Sequence, residues 1–279
     1  MVDLHVHSTA SDGTYTPSEL VKYAVQKGLS AFALTDHDTI SGLDEAIKTA
    51  KSYNMEVIPG IEFSTEYNGK DIHILGLDID YKNPFFVEKL ERFIDSRDLR
   101  NEKMCRLLTE RGMEITMTQL NKRFPNSVIT RAHFARFLFE HNYIKKLETA
   151  FEKYIGDHGP CYVPREKVNP VQAIKLIRDA NGIPILAHPP LYKLPPKELE
   201  QLVAYLSQHG LMGIEAIYST YNRGDENHMR LLARQYQLAI SGGSDFHGKN
   251  KPYIDLGVGR GNLNVTDEVW KNLKVRLYS

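Results

Sequence analysis

Short, mostly apolar runs alternate with amphipathic stretches along most of the chain. The runs are four to six residues long, which is typical of strands that are buried on both faces of a parallel sheet. Between them, apolar residues recur every three or four positions, as they do in helices with one buried face. On this basis we predict seven strands, over residues 3–7, 31–34, 57–61, 72–77, 183–187, 213–217 and 238–241.

The alternation stops between residues 82 and 165, where the pattern is helical throughout. Phe86, Leu90 and Phe93, for example, are spaced for one helix face. This segment contains 16 basic and 11 acidic residues, against 19 and 24 in the rest of the chain, so it is the basic part of the molecule. Such a segment would attract anionic ligands. Most of its charges, including those of residues 97–100, are expected to lie on solvated helix faces.

Strands that alternate with helices predict a parallel sheet. Without the helical segment, the seven units occupy about 195 residues, which favours a closed or nearly closed β/α barrel; an open doubly wound sheet is the alternative. We therefore predict an α/β protein in which residues 1–81 and 166–279 form a barrel and residues 82–165 form a helical cap inserted into it.

Histidines gather where this fold would place its chemistry, at the carboxyl ends of the strands. Six of the eleven histidines fall on or just past a predicted strand: His5, His7, His37, His73, His188 and His247. The carboxylates interleaved with them are Asp12, Glu62 and Asp245. The alternative is a set of buried, hydrogen-bonded imidazoles, but the sorting of histidines to strand ends favours a metal site. Nitrogen and oxygen donors without thiolate favour zinc, manganese or iron.

Overall composition narrows the possible partners and location. The chain has 35 basic and 35 acidic residues, so no global charge favours long nucleic acid or an anionic membrane. Its two cysteines, Cys105 and Cys161, have no metal-like or redox spacing and suit a reducing compartment. A strand begins right after Met1 and no apolar run approaches a membrane span, so we expect a cytoplasmic protein. The sequence makes no prediction of oligomeric state.

Five short motifs carry a family resemblance. In order along the chain they are Asp3-Leu4-His5-Val6-His7, Thr35-Asp36-His37-Asp38, Pro59-Gly60-Ile61-Glu62, Ala187-His188-Pro189 and Ser244-Asp245-Phe246-His247. They resemble the motifs of the polymerase and histidinol phosphatase (PHP) metallophosphoesterases, in the same order and nearly from end to end of the barrel. The resemblance implies a distorted barrel of seven units that binds two to three divalent ions of manganese, zinc or iron.

The resemblance also implies which residues share each ion of a trinuclear centre. The first metal would take His5, His7, Glu62 and Asp245; the second would share Glu62 and add His73 and His188; the third would take Asp12, His37 and His247. Relatives often have a histidine where this chain has Asp12, so we expect binding to be retained with an altered metal preference. Such a cluster generates hydroxide from a bridging water for in-line attack on phosphorus, and no protein nucleophile is needed. Asp36 and Asp38 are expected to orient imidazoles or to cap the next helix.

Substrate contacts are predicted at two further places. Thr130-Arg131-Ala132-His133 resembles a Gly-Arg-Pro-His segment of the nucleotide-directed branch of the family, with Thr and Ala in place of Gly and Pro. Arg131 would bind a phosphate through two hydrogen bonds, and His133 would bind phosphate or protonate the leaving oxygen. The alternative is that Arg131 and His133 belong to an ordinary exposed helix start without a role in the site. In the loop after the strand at 213–217, the residues that could contact a base or sugar are Tyr218, Tyr221, Asn222 and Arg223.

The function indicated is a metal-dependent phosphoesterase that acts on small nucleotides. Members of similar size remove the 3′-phosphate of nucleoside 3′,5′-bisphosphates or trim short RNA from its 5′ end, so the resemblance implies a nucleotide or a short oligoribonucleotide as substrate. Histidinol-phosphate hydrolysis is the alternative within the family. An amidohydrolase-like C–N hydrolase is the alternative of another class, and a non-catalytic metal-binding module is a third, which the nine intact donor positions disfavour.

Overall fold

The computed structural model describes residues 1–156, 158–164 and 169–277, with the side chains of 92–96 and 276–277 excepted. Two predictions fall outside the described residues. One is the boundary between cap and barrel at 165 and 166, and the other is the place of the Phe93 side chain on a helix face. No helix in the described ranges is both long enough and apolar enough to span a membrane.

Among the described residues, seven strands form one sheet in chain order. They are β1 (Val2–Val6), β2 (Ala31–Leu34), β3 (Glu56–Tyr67), β4 (Lys70–Leu77), β5 (Ile183–Leu186), β6 (Gly213–Tyr218) and β7 (Ala239–Gly243). The sheet curls until its two edges meet: the His7 N–H donates to the Phe246 carbonyl at 3.0 Å, and the Asp245 N–H donates to the His5 carbonyl at 2.9 Å. The predicted α/β barrel of seven strands is confirmed.

One strand departs from the predicted parallel sheet. Strand β4 runs antiparallel to both β3 and β5, whereas the other neighbours are parallel. The reason is local: β3 and β4 are joined by Asn68 and Gly69 alone, and these residues have φ angles of 50° and 75°. Two positive φ angles are the requirement of a tight type I′ hairpin, for which Asn-Gly is the preferred sequence. The expectation of an entirely parallel sheet was therefore wrong at β4.

In the part of the chain that the structure describes, ten α-helices surround the sheet or form the cap. They are α1 (Pro17–Gln26), α2 (Leu43–Lys51), α3 (Pro84–Thr109), α4 (Met117–Arg123), α5 (Arg131–Glu140), α6 (Leu147–Ala150), α7 (Pro170–Asp179), α8 (Pro196–Gln208), α9 (Arg223–Gln235) and α10 (Asp267–Leu277). A π-helical turn, Phe151–Ile155, continues α6. The helix starts follow ordinary capping rules: Thr16 accepts from the Glu19 N–H at the start of α1, and Pro17 stands at its first position.

The hydrophobic core is divided between barrel and cap. Inward residues of the strands pack inside the barrel, and the barrel helices cover its outside. A separate cluster lies entirely within residues 104–163 and includes both cysteines, Cys105 and Cys161, as buried free thiols. Phe86 and Leu90, at the start of α3, belong instead to the cluster on the outside of the barrel. Helix α3 thus leaves the barrel core and enters the cap core along its length.

Candidate metal centre

Nine side chains from strands and from the loops after them converge at one end of the barrel. His5 lies in β1, His7 and Asp12 follow it, and Glu62 and His73 lie inside β3 and β4. The remaining four follow β2, β5 and β7 and are His37, His188, Asp245 and His247. Within each of four overlapping groups, one ligand atom from every residue lies within 4.8 Å of the others. These groups contain all nine residues predicted from the sequence as metal ligands.

Glu62 occupies the middle of the cluster. One of its oxygens, Oε2, lies 3.1–3.3 Å from a nitrogen of each of three imidazoles, and the other, Oε1, lies 2.9–3.0 Å from two more. The first three rings are those of His5, His7 and His37, and the other two are those of His73 and His188. A carboxylate with different histidines on its two oxygens has the arrangement of a ligand shared between two cations.

Three imidazole nitrogens face Glu62 without forming a hydrogen bond. His5 Nε2, His7 Nε2 and His37 Nδ1 are buried, and each lacks a hydrogen-bond partner among the residues that the structure describes. Buried polar atoms are seldom left in this state. Cations bound at this cluster would supply the missing partners, and imidazole with carboxylate is a ligand set for zinc, manganese or iron. The residues present therefore fit a bound metal.

The carboxylates of the cluster are held in their anionic form. Burial alone would raise the pKa of Glu62, but His37 and His5 hold that pKa well below its usual range. Burial would likewise raise the pKa of Asp245, and the Lys251 ammonium lowers it well below the ordinary value. Both carboxylates are therefore ionised at neutral pH, which is the form that binds a cation.

Glu215 forms hydrogen bonds with two of the histidines of the cluster. It lies in β6, is fully buried, and accepts hydrogen bonds from His5 Nδ1 at 3.1 Å and from the His188 N–H at 2.8 Å. Because the Nδ1 of His5 faces Glu215, its Nε2 is left to face the cluster. Glu215 was not predicted from the sequence as a site residue. A charged residue inside the apolar run 213–217 was the signal that could have identified it.

Two donors fix the orientation of Asp245. Its Oδ2 accepts from the Tyr218 hydroxyl and from the Lys251 ammonium, both at 2.5 Å. Its Oδ1 lies 3.3 Å from His7 Nε2, inside the cluster. Tyr218, predicted to contact a base or sugar, is thus placed on a candidate metal ligand. Lys251 was missed, because a lysine in a loop carries no pattern that separates it from surface lysines.

The carboxylates beside His37 have other partners than those expected. Asp36 Oδ1 accepts from the Ser8 N–H at 2.8 Å and from the Ser11 hydroxyl at 2.6 Å. Asp38 forms a buried ion pair with Arg97 of the cap. Asp36 therefore fixes the loop after β1, and Asp38 ties the loop after β2 to helix α3.

Arg131, predicted to bind phosphate, lies at the mouth of the cluster as the first residue of α5. Its guanidinium pairs with Asp71 of β4, donates to the Ile155 carbonyl at 3.4 Å and lies 5.4 Å from the centroid of the Tyr162 ring. Arg131 and His73 line the same cavity. The structure thus brings this arginine to the edge of the cluster.

His133, two residues further along, points away from that edge. Its Nδ1 accepts from the Thr130 N–H at 3.0 Å, and its ring packs on Phe124 with 4.4 Å between the centroids. The Thr130 hydroxyl in turn donates to Asp12 Oδ2 at 3.0 Å. Burial lowers the pKa of His133 to about 4, so the ring is neutral at pH 7.

The other residues predicted to contact substrate lie at the start of α9. The Asn222 side chain accepts from the N–H groups of Gly224 and Asp225, at 2.7 and 3.0 Å, and so caps this helix. Arg223 is its first residue and is exposed. Tyr221 is buried and packs on Tyr218, with 5.0 Å between ring centroids. Of this group, the structure brings only the two tyrosines towards the cluster.

A β/α barrel whose strand ends present a buried cluster of histidines and carboxylates defines a metal-dependent hydrolase. Comparison with known families agrees with this class. The chain belongs to the PHP domain family, whose model matches residues 3–238. The family resemblance carried by the five motifs is therefore confirmed.

Two curated relatives align over nearly the whole chain. The 5′-3′ exoribonuclease Rnm of Escherichia coli strain K12 is 35% identical over 257 residues, which cover 91% of this chain and 87% of the relative. The 3′,5′-nucleoside bisphosphate phosphatase of Chromobacterium violaceum is 30% identical over 277 residues, covering 99% and 97%. A solved structure from C. violaceum, called an amidohydrolase and containing sulfate but no metal, is 30% identical, with a TM-score of 0.88 and coverage of 99% and 96%.

Proposed function

We propose that the protein hydrolyses phosphate esters of small nucleotides, either the 3′-phosphate monoester of nucleoside 3′,5′-bisphosphates or the phosphodiester at the 5′ end of short RNA. The observation that carries the proposal is the position of Glu62, whose two oxygens face two different sets of histidines within the cluster of nine donors. The relatives named as a bisphosphate phosphatase and as an exoribonuclease support the substrate class.

For the metals, we propose two to three divalent ions of manganese, zinc or iron. The first would be held by His5, His7, Glu62 and Asp245, the second by Glu62, His73 and His188, and the third by Asp12, His37 and His247. When bound, such cations supply an activated water and neutralise the phosphoryl oxygens. The free thiols Cys105 and Cys161 suit the reducing cytoplasm in which we propose that the enzyme acts.

The side chains around the cluster supply orientation. Glu215 holds His5 with its Nε2 towards the centre, and the pair of donors on Asp245 leaves one carboxylate oxygen facing inwards. Arg131, at the mouth, would bind a phosphate oxygen in exchange for part of its contact with Asp71. This places the anionic end of the substrate between the cap and the cluster.

For His133, the geometry supports positioning more than proton donation. Its pKa of about 4 means that the free enzyme carries no imidazolium at neutral pH. Through Thr130 the ring is linked to Asp12, a proposed ligand of the third metal. We therefore propose that His133 holds this end of the cap against the loop after β1, and that its role in catalysis depends on that contact.

Hydrolysis of a C–N bond is the second candidate, because the solved C. violaceum structure is called an amidohydrolase. Clustered cations activate water for carbonyl attack as well as for attack on phosphorus. The sulfate in that structure has the tetrahedral shape and charge of a phosphate group, however, and Arg131 at the mouth of the present cluster suits the same kind of anion.

A screen of manganese-loaded protein that measures phosphate release and, by chromatography, the release of mononucleotides from RNA tests the proposal. The substrates are nucleoside 3′,5′-bisphosphates, mononucleotides, dinucleotides, short 5′-phosphorylated RNA and histidinol phosphate, with an N-acyl amino acid series for the second candidate. We expect turnover of the nucleotides by the wild type and loss of at least about 100-fold in the His5→Ala variant, which lacks a metal ligand. Preference for histidinol phosphate would overturn the substrate class, and turnover of amides alone would favour the C–N hydrolase.

A further inference from the structure

A cavity of about 680 Å³ lies between the cap and the barrel, outside the metal centre. On the barrel side its lining comes from the loops after β1, β2 and β7 and from the starts of α1 and α2, and on the cap side from residues 123–127 and helix α5. Its volume is within the range of about 300–1,000 Å³ that is common for sites that hold whole small molecules. The reaction proposed above makes no use of this cap–barrel cavity.

Hydrogen bonds between cap and barrel separate the cap–barrel cavity from the cavity at the mouth of the cluster. The Val128 N–H donates to the Ala10 carbonyl at 2.9 Å, and the Ser127 hydroxyl donates to the Thr9 carbonyl at 2.6 Å. Among the residues that the structure describes, the two cavities have no lining residue in common, and none of the nine donors lines the cap–barrel cavity. A ligand bound there would therefore not contact the proposed metals.

Basic side chains outnumber acidic ones around the cap–barrel cavity. Its described lining includes Arg123, Arg136 and Lys249 on the basic side and Glu45 on the acidic side. Both arginines also pair with Glu140: Arg123 donates twice, each time at 2.7 Å, and Arg136 donates once at 3.0 Å. With Glu140 included, three cations still face two anions. A charge distribution of this sign favours an anionic ligand.

Arg136 is held in a fixed position by groups on both sides of the cavity. Its Nε donates to Glu140 of the cap, and its Nη1 donates to Asn250 Oδ1, in the loop after β7, at 2.6 Å. A guanidinium has five N–H groups, so these two contacts leave donors for a ligand. Because the side chain is already ordered, it loses little conformational freedom when it binds an anion.

Other parts of the lining suit an organic group. Apolar surface comes from Ala10 and Pro17 on the barrel side and from Phe124 and Pro125 on the cap side. A bare phosphate or sulfate ion at the arginines would leave these walls without contact. A ligand with an anionic end and an organic body would contact both parts, as is usual for sites that combine apolar walls with a few polar groups.

We infer that the cap–barrel cavity is a second, non-catalytic binding site for a small organic phosphate of the size of a mononucleotide. Its phosphate lies against Arg136 and Lys249, and its organic part lies between Pro17 and Phe124. The hydrogen bonds between cap and barrel block a direct path from the metal centre, so the ligand is a free molecule and not the downstream part of an RNA substrate. The choice of a nucleotide rests on the proposed function, which makes nucleotides the substrates and products that the enzyme meets.

The test counts the nucleotides bound per chain. The probe is the non-hydrolysable methylenephosphonate analogue of adenosine 5′-phosphate, titrated calorimetrically into the manganese-loaded enzyme. We expect two sites in the wild type. Arg136→Met should weaken one of them by roughly 10- to 100-fold, as for the loss of a hydrogen bond between charged groups, and leave the other unchanged. Arg131→Met, at the mouth of the cluster, should weaken the other site and leave the cap–barrel site unchanged.

Two further variants guard against a loss of binding through misfolding. Arg230→Met is the matched control, since Arg230 pairs with Glu226 within α9 as Arg136 pairs with Glu140 within α5, but does not line the cavity. It should keep both sites. Lys249→Glu, at an exposed position, should weaken the cap–barrel site by at least about 3-fold. A single site in the wild type, or two unchanged sites in both Arg136→Met and Lys249→Glu, would overturn the inference.

Photolabelling with 8-azidoadenosine 5′-phosphate locates the second site. We expect labelled peptides from residues 9–17 or 123–127, and an excess of short 5′-phosphorylated RNA should not protect them. Label confined to the cavity at the metal centre, or full protection by RNA, would overturn the inference while leaving nucleotide hydrolysis intact. If the wild type hydrolyses no nucleotide but residues 123–127 are still labelled, the proposed function fails and the second site stands.

Discussion

Single residues of the centre differ in how far their sequence context identifies them. His5 and His7 lie two residues apart at the end of β1 and so share a face, and four of their partners follow the ends of other strands. Glu215 lies inside a strand whose side chains were expected to be apolar on both faces. Its apolar neighbours therefore predicted a core position and not a site residue. Its burial is acceptable because two donors satisfy it. Arg97 and Arg100 show the same limit: residues 97–100 were expected to lie on solvated helix faces, whereas both arginines are buried.

Replacing Glu215 by Gln should weaken metal binding without unfolding the barrel. Gln keeps the size of the side chain but loses the charge that orients His5 through its Nδ1. Removing a partner of this kind commonly reduces metal affinity by about 10- to 100-fold. Competition with a chelator of known affinity measures the effect. Glu198→Gln, at an exposed position in α8, is the control, and equal metal affinity in both variants would contradict the orienting role.

His133 should make the folded protein sensitive to acid. Its folded pKa of about 4 lies below the ordinary value of 6.5, so between these pH values the unfolded chain binds a proton at this ring and the folded chain does not. Stability contributed by this ring is therefore complete above pH 6.5 and is lost as the pH falls towards 4. The stability difference between the wild type and His133→Gln should shrink by on the order of 2 to 3 kcal/mol from pH 7.5 to pH 4.5.

Urea unfolding of metal-free protein at the two pH values checks this expectation. His141→Gln, at the exposed end of the same helix α5, serves as the control and should show no comparable convergence. If the gap between wild type and His133→Gln stays constant across this range, the ring is not held neutral by burial.

Among the elements, the β3–β4 hairpin shows what strand counting overlooks. Both strands were predicted, but each was treated as one unit of a parallel barrel. The Asn68-Gly69 pair between them is a strong hairpin signal. The hairpin explains why β4 runs antiparallel to β3. It also explains why the His73 side chain reaches the cluster from the middle of a strand rather than from its end. The Asn-Gly sequence, together with the two-residue distance between the strands, would have predicted that β4 is antiparallel to β3.

Substitution of Gly69 tests whether the β3–β4 turn requires its positive φ angle. Gly69 has a φ of 75° and nothing within 4 Å of an added Cβ, so Gly69→Ala introduces backbone strain alone. We expect a loss of about 1 kcal/mol in the free energy of unfolding. The matched change Asn68→Gly, at a φ of 50°, should alter stability by less than about 0.5 kcal/mol. Urea midpoints measure both, and an unchanged midpoint in Gly69→Ala would mean that the turn relaxes to another type.

At the scale of the whole molecule, the site depends on closure of the barrel. Strands β1 and β7 approach so closely that a Cβ on Gly243 would lie 2.5 Å from the His5 Cβ. The seven-strand fold could be predicted from periodicity, and the convergence of nine histidine and carboxylate side chains from strand ends and motifs. The division into barrel and cap at the predicted bounds stays a prediction. The docking of cap on barrel could not be predicted, because it depends on contacts such as Arg97 with Asp38, which join segments with no shared local pattern.

The uneven charge distribution should be visible in kinetics. Residues 82–165 contain 16 basic and 11 acidic residues, so the cap attracts anionic substrates over a range set by salt. Between about 0.01 M and 0.15 M ionic strength the Debye length falls from about 30 Å to about 8 Å. We expect kcat/KM for a bisphosphate to fall about 3- to 10-fold over this range. p-Nitrophenyl phosphate, with less charge, should respond less; equal responses would argue against attraction by the cap.

The donors come from nearly the full length of the chain, from His5 to His247. A growing chain therefore presents only part of the set, since Asp245 and His247 are synthesised after the other seven donors. Until then His5 and His7 stay exposed to whatever ions the cell offers without the partners that would discriminate among them. The full set of donors is therefore available only after residue 247 has been synthesised, so the ions that the folding chain meets from then on decide which metal is bound.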